Sequence, residues 1–319
     1  MTPPSSVLVT GAAGFIGSTL VDRLLAQGRR VVGLDSFDPF YPEAQKRANL
    51  EKATASGAFE LQRGDIRDAA ALDRAIGPEP VEAIVHLAAL AGVRPSLERP
   101  ADYSDVNVLG STRVFDAAVR AGVPHVVFAS SSSVYGERSE GPFRESDPVE
   151  RPISPYAATK RSGELLAHSF HHIHGLSVTC ARIFTAYGPR QRPDLAIRKF
   201  AERMLAREPI PVFGDGSALR DFTFVEDLVD GLVAALDRPL GFAVLNFGAG
   251  RTLSVHEVIA QLEAALGVTA RVDHLERQPG DVTRTWADVS EARRRLGYAP
   301  QTSFETGIAR FAAWLKERG

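Results

Sequence analysis

Tyr156 and Lys160 stand four residues apart in Ser154-Pro155-Tyr156-Ala157-Ala158-Thr159-Lys160, and an apolar helix pattern continues through Leu165 and Leu166. A spacing of four puts both side chains on one helix face. An ammonium beside a phenol favours the phenolate and draws a tyrosine pKa down from about 10 towards working pH, which would make Tyr156 a general base. In isolation such a pair is usually structural. Here it follows Ala129-Ser130-Ser131-Ser132-Ser133-Val134-Tyr135-Gly136, the end of a strand-like run that can bring a serine hydroxyl to the same cleft. A hydroxyl placed there can donate to, or accept from, a reacting oxygen.

A second constellation, Thr10-Gly11-Ala12-Ala13-Gly14-Phe15-Ile16-Gly17, directly follows the first strand-like run and opens a helix pattern carrying Leu20, Leu24 and Leu25. Glycines permit a tight turn and the close approach of a pyrophosphate, which the free N–H groups and partial positive charge of a helix N-terminus can hold. Gly11, Ala13, Gly14, Phe15, Ile16 and Gly17 are therefore candidate dinucleotide contacts. The second strand-like run ends at Asp35. A carboxylate about twenty residues beyond the glycines accepts hydrogen bonds from an adenosine ribose and repels a 2′-phosphate, so NAD is expected rather than NADP. Asp65 and Ile66 follow the third run and could meet adenine; Leu87, Ala88 and Ala89 follow the fourth and could let the cofactor pass close by. Both groups could equally be loop or core. An oxidised nicotinamide nearby would lower the Tyr156 pKa further, which makes Tyr156 and Lys160 cofactor neighbours as well.

These groups need a scaffold that gathers strand ends. Short apolar runs, Ser6 to Thr10, Arg30 to Asp35, Phe59 to Arg63, Ala83 to Leu87, Val123 to Ser130 and Leu176 to Phe184, alternate with helix-patterned segments and read as βαβ units. Val7-Leu8-Val9 and Val126-Val127-Phe128 are apolar at every position, as suits strands covered on both faces. The predicted fold is α/β, a doubly wound parallel sheet of the Rossmann kind with a smaller C-terminal α/β substrate domain. Beyond Tyr187 the texture changes: Gly188-Pro189, Arg192-Pro193, Pro209, Pro211 and Gly214-Asp215-Gly216 mark loops and short elements. The expected division places 1–185 and about 222–248 in the dinucleotide domain, with 186–221 and 249–319 in the smaller one.

With 319 residues, 44% of them hydrophobic, the chain can bury one large and one small core. Lys+Arg of 37 against Asp+Glu of 39 leaves a net charge of -2, so there is no global basic field for nucleic acid or an anionic membrane. Any anionic ligand must be met locally. No apolar run reaches the ~20 residues of a membrane span, and Met1 to Ser6 carries no signal pattern, so a cytoplasmic location is expected. The single cysteine, Cys180, reads as a buried strand residue. His171, His172 and His174 suit the C-terminal end of the Tyr156 helix as solvated cations, and no metal site is expected.

Together the glycine motif, Asp35, the serine cluster and the Tyr156–Lys160 pair resemble the extended short-chain dehydrogenases/reductases, particularly the nucleotide-sugar epimerases and dehydratases, over essentially the whole chain. In that family the third position before Val-Tyr-Gly is the catalytic Ser or Thr, which maps onto Ser131; Ser132 and Ser133 would line the sugar pocket. The dehydratases carry Asp-Glu where this chain has Ser132-Ser133, and the related decarboxylases usually carry Glu where Ser133 stands. Epimerisation at C4 needs no such extra acid or base. Tyr156 would take the 4-hydroxyl proton, the C4 hydride would pass to NAD, and it would return to the other face of the 4-keto sugar.

Arg220-Asp221-Phe222 and Arg277-Gln278-Pro279-Gly280-Asp281 resemble the family's diphosphate and ribose contacts, which nominates Arg220, Arg277 and Asp281; Phe213 could stack on the base. Stretches from Asp35 to Tyr41, Ala91 to Arg94, Arg182 to Asp194 and Gln278 to Thr283 resemble more specifically the UDP-glucuronate 4-epimerases. That resemblance implies UDP-glucuronate as the UDP-sugar substrate and UDP-galacturonate as product. UDP-glucose epimerisation, net oxidoreduction or decarboxylation, and an NAD-binding regulator without turnover stay open. A ketone at C4 beside a C5 carboxylate is a β-keto acid prone to lose carbon dioxide, so the pocket must hold the carboxylate. Thr185 can offer a hydroxyl and Arg192 a guanidinium fork, with Arg94 as a rival cation. The predicted helices Ala101 to Arg120 and Tyr156 to His174 correspond to those that pair in the family, and a homodimer is expected.

Overall fold

Val7, Leu8 and Val9 are all fully buried, and they divide between two cores: Val7 and Val9 enter one and Leu8 the other. Successive strand residues point to opposite faces, so a strand that reads apolar throughout must be covered on both. A computed structural model describes residues 6–78, 81–138, 140–276 and 280–317. Six strands, β1 (Ser6–Thr10), β2 (Arg30–Asp35), β3 (Phe59–Arg63), β4 (Ala83–His86), β5 (His125–Ser131) and β6 (Ser177–Ile183), join strand Phe242–Phe247 in one sheet. The order is Phe242–Phe247, β6, β5, β4, β1, β2, β3, with every pairing parallel. This is the doubly wound α/β sheet expected from the apolar runs. Strand order reverses between β1 and β4, which opens a crevice at the carboxyl ends of the strands.

Helix Phe15–Ala26 covers one face with Leu20 and Leu24, each fully buried and worth roughly 1.5–3 kcal/mol by removal from water. Helix Val225–Asp237 packs beside it. The other face is covered by helices Ser111–Arg120 and Pro155–His174. The latter is bounded as its sequence dictates: the Ser154 side chain accepts from the Ala157 amide at 3.2 Å, Pro155 occupies the first turn, and Gly175 ends it at φ 71°. Tyr156 therefore sits at the open N-terminal end. In its last turn His171 is half-buried rather than solvated, bonding the Leu176 carbonyl at 3.0 Å and stacking near Phe242.

The helix expected from Ala101 to Arg120 is interrupted. Pro100–Ser104 leads into a π-helical turn, Asp105–Gly110, before Ser111–Arg120 resumes the α-helix. At this bulge the buried Asn107 side chain turns inward, accepting from the Leu90 amide at 2.8 Å and donating to the Leu90 carbonyl at 2.9 Å. A third apolar core gathers Tyr187, Phe200, Phe224, Leu262 and Phe311 beyond the sheet edge. Among the described residues no helix is long and apolar enough to cross a membrane.

Candidate active site

A cavity of about 480 Å³ lies at the carboxyl ends of the strands. Gly11, Gly14, Phe15, Ile16 and Gly17 line it, as do Asp35, Asp65, Ile66, Leu87, Ala88 and Ala89. Gly11 adopts φ +70°, and a Cβ there would lie 2.8 Å from the Ala88 amide; at Gly17 a Cβ would lie 2.1 Å from the Gly11 carbonyl oxygen. Only glycine fits a turn wound this tightly. No side chain caps helix Phe15–Ala26, and its first turn carries no acid. Its free N–H groups suit a pyrophosphate. Ala13 is fully buried and does not line the cavity; its amide donates to Asp35 Oδ2 at 2.9 Å, while the Phe37 amide donates to Oδ1 at 2.8 Å. The carboxylate is thus set in place beside the loop, and the residues present fit a dinucleotide with a free ribose edge.

Thr10 fixes the opposite wall. Its hydroxyl bonds His86 Nδ1 at 2.7 Å and accepts from the Ala88 amide at 3.2 Å. His86 Nε2 lies 3.0 Å from the Ser111 hydroxyl, and burial, aided by the Lys160 charge, pushes this histidine down to about 3, so it is neutral at working pH.

Ser131, Ser132, Ser133, Tyr156 and Lys160 line the same cavity. Ser131 closes β5 and caps the short 3-10 turn Ser132–Tyr135, accepting from the Ser133 amide at 3.1 Å. Tyr103 packs edge-on against the Tyr156 ring at 6.2 Å. Burial pushes the Tyr156 phenol above its ordinary value; hydrogen bonding by Ser131 and the charge of Arg192 act the other way. The Lys160 ammonium, expected to favour the phenolate, donates to the Ala129 carbonyl at 2.7 Å, and burial pushes it down to about 8. The arrangement can move a proton at the Tyr156 oxygen with Ser131 alongside.

Thr185 and Arg192 also line the cavity. Arg192 donates from Nε and Nη2 to Asp194 at 3.0 and 2.8 Å and lies 5.3 Å over the Phe40 ring. Arg94, Phe213, Arg220 and Asp281 do not line this cavity; they form a cluster of their own. The Arg94 guanidinium lies 4.1 Å over the Phe213 ring and bonds Asp281 at 2.8 Å. Burial lowers the Arg220 pKa, Asp281 opposes this and Arg94 adds to it. One face of Phe213, nominated for base stacking, is therefore covered by Arg94. Arg277 lies outside the described residues.

Lys46, Asn107 and Glu164 were not singled out in the sequence, and Tyr41 entered only as the end of the stretch that begins at Asp35. Lys46 and Tyr41 line it, with the ammonium 4.7 Å from the Tyr41 ring, and the buried Tyr41 hydroxyl has no hydrogen-bond partner among the described residues. Their lone signal was their place in the segment after Asp35. Asn107 and Glu164 act behind the site; Glu164 continues the Tyr156–Lys160 spacing by another four, a signal available but unread.

Residues 7–248 match the NAD dependent epimerase/dehydratase family. A UDP-glucuronate 4-epimerase from Thermodesulfobacterium geofontis is 40% identical over 311 residues, which covers 97% of this chain and 96% of the relative. The crystal structure of the UDP-glucuronic acid 4-epimerase from Bacillus cereus, in complex with UDP-glucuronic acid and NAD, is similar with a TM-score of 0.92 at 35% identity, covering 98% of this chain and 100% of that one. A dTDP-glucose 4,6-dehydratase from Streptomyces venezuelae, with NAD and TYD bound, also gives 0.92 at 35% identity, covering 98% and 97%.

Proposed function

This chain belongs to the NAD dependent epimerase/dehydratase family, and from that premise we propose that it is an NAD-dependent 4-epimerase converting UDP-glucuronate to UDP-galacturonate. The reading is carried by one observation: Ser131, Tyr156, Thr185 and Arg192 line the same cavity as the glycine turn and Asp35. NAD, when bound, supplies a reversible hydride acceptor for the sugar C4. Tyr156 accepts the 4-hydroxyl proton and later returns it, Ser131 hydrogen-bonds the reacting oxygen, and Lys160 holds the end of β5 through the Ala129 carbonyl. Thr185 and Arg192 bind the sugar carboxylate. Ser132 and Ser133 line the pocket at the positions where the dehydratases carry their extra acid and base, which favours epimerisation over the dehydratase alternative.

Arg220 and Arg277 take the nucleotide diphosphate, Asp281 the ribose and Phe213 the base, which requires Arg94 to part from the Phe213 ring; Arg94 is the rival to Arg192 for the sugar carboxylate. The dinucleotide domain comprises 1–185 and about 222–248, and the remainder binds the nucleotide-sugar. Two copies pair through helices Ser111–Arg120 and Pro155–His174, where Leu165 and Ile173 are exposed; light scattering would test the dimer, and cell fractionation the cytoplasmic location. The decisive assay is incubation of the purified protein with a panel of nucleotide sugars, followed by product chromatography and measurement of reduced NAD. UDP-galacturonate without net NADH supports the proposal. Bound NAD without any product would indicate a regulator, and stoichiometric NADH an oxidoreductase.

A further inference from the structure

We propose that Glu164, clamped by Arg182, is a positioning residue that sets the end of β5 against the catalytic helix and so holds Ser131 and the Tyr156 phenol in register for proton transfer. The two residues of β5 that precede Ser131 are each tied to helix Pro155–His174. Lys160 Nζ donates to the Ala129 carbonyl at 2.7 Å and the Ser130 hydroxyl donates to Glu164 Oε1 at 2.6 Å; Ser131, next along the strand, lines the cavity together with Tyr156. Tyr156, Lys160 and Glu164 follow at steps of four, so the helix face that carries the phenol also presents two consecutive holds on the strand end.

Glu164 is itself fixed from the neighbouring strand. Arg182 is the register partner of Ser130 on β6, and its Nε and Nη2 both donate to the Glu164 carboxylate at 2.9 Å; Arg161 adds a third bond at 2.9 Å. The side chains of Glu164 and Arg182 are 0% and 2% exposed. Burial alone would raise the Glu164 pKa, but the hydrogen bonds and charge of Arg182 bring it below its ordinary value, so the pair is ionic. A buried ion pair is a weak source of stability, since apolar replacement of both partners is often neutral. What a two-point fork supplies is direction. Ser130 lines the cavity yet commits its hydroxyl to Glu164, so of the two serines that end β5 it is Ser131 that can serve the phenol.

The inference rests on Tyr156 acting as the base, and its test is chosen to read the phenol directly. Holoenzyme carrying Glu164→Leu with Arg182→Met is titrated by ultraviolet difference spectroscopy, with Tyr156→Phe in the same background as the blank, and kcat and KM are measured with UDP-glucuronate. The expected result is a folded protein with bound NAD, a phenol that titrates at higher pH than in the unaltered protein, and a kcat lowered roughly 10- to 100-fold at nearly constant KM, the scale of a small misplacement. An unshifted phenol and a kcat within about twofold overturn the proposal. Should the double variant fail to fold, Ser130→Ala decides: it deletes one hydroxyl and leaves the Glu164–Arg182 pair, and it is expected to raise the phenol titration and lower kcat roughly tenfold. No change in either overturns the proposal. Should no sugar be epimerised at all, the functional reading fails while the phenol titration still reports on Glu164.

Discussion

Asp35 Oδ2 accepts a hydrogen bond from the Ala13 amide at 2.9 Å, so the acid ending β2 is tied to the glycine turn that follows β1. Cofactor choice and loop geometry therefore share one side chain. Asp35→Ala removes the ribose acceptor and leaves the Ala13 and Phe37 amides without it, at about 1–3 kcal/mol for each buried group left unpaired. Calorimetric titration should show NAD affinity falling for this variant, less so for Asp35→Asn, and the preference over NADP narrowing in both. An Asp35→Ala protein that still discriminates as strongly would refute the assignment.

Tyr156→Phe deletes a single hydroxyl from a ring packed by Tyr103, so fold and bound NAD should persist. Turnover should drop by ~100-fold or more, the usual scale for a lost general base. Product chromatography alongside mass spectrometry of the retained cofactor reads both parts, and near wild-type turnover removes Tyr156 from its role.

The features that could be read from the chain are those written in short windows. Val7-Leu8-Val9 announces a doubly covered strand because both neighbours in space are implied by its own pattern, and Asp35 is placed by the end of the second run. Tyr156 and Lys160 could be placed on one helix face, but not the partner each takes: Lys160 meets a carbonyl 31 residues away. The Arg94–Asp281 pair spans 187 positions, and no local spacing encodes it. Asn107 was invisible for a different reason, because a π-helical turn shifts the register that periodicity assumes. Arg182, a charge inside an apolar strand run, marks a buried partner only once Glu164 faces it.

Burial holds the Tyr156 phenol high while Ser131 and Arg192 favour the phenolate. Activity that depends on phenolate should rise with pH, and Ser131→Ala should move that rise to higher pH; a pH–rate profile measured for both proteins checks the direction.

Lys160 gives a separate pH signature in stability. Its native pKa is pushed down to about 8 by burial, whereas the unfolded side chain titrates near 10.4. Between these values the unfolded chain holds more protons than the native one, so unfolding free energy rises with pH there; below about pH 8 the native state carries the full cost of a buried ammonium. Relative to Lys160→Met, the unaltered protein should gain stability on the order of 3 kcal/mol across that window. Urea unfolding of both proteins at about pH 7 and about pH 10 measures the gain, and parallel stabilities at the two values would contradict it.

Arg192 is the residue on which substrate choice should turn, and it has two separable effects. Its charge favours the Tyr156 phenolate, which serves any sugar, and its planar fork can take a carboxylate, which serves only a uronate. Asp194 already engages Nε and Nη2, but a guanidinium carries five N–H donors and keeps others to offer. A charge-assisted hydrogen bond contributes ~1.5–3 kcal/mol, so Arg192→Ala should lower kcat/KM for UDP-glucuronate about 10- to 150-fold beyond any loss shared with UDP-glucose. Freed from its anchor, the carboxylate of the 4-keto intermediate can align its C–C bond with the ketone, and a pentose product should appear. Arg192→Lys separates the two effects because it keeps the charge and loses the fork. For that variant the pH–rate profile should stay in place while the preference for UDP-glucuronate over UDP-glucose collapses. Equal losses for both sugars in Arg192→Ala, with no pentose formed, would reject Arg192 as the carboxylate anchor.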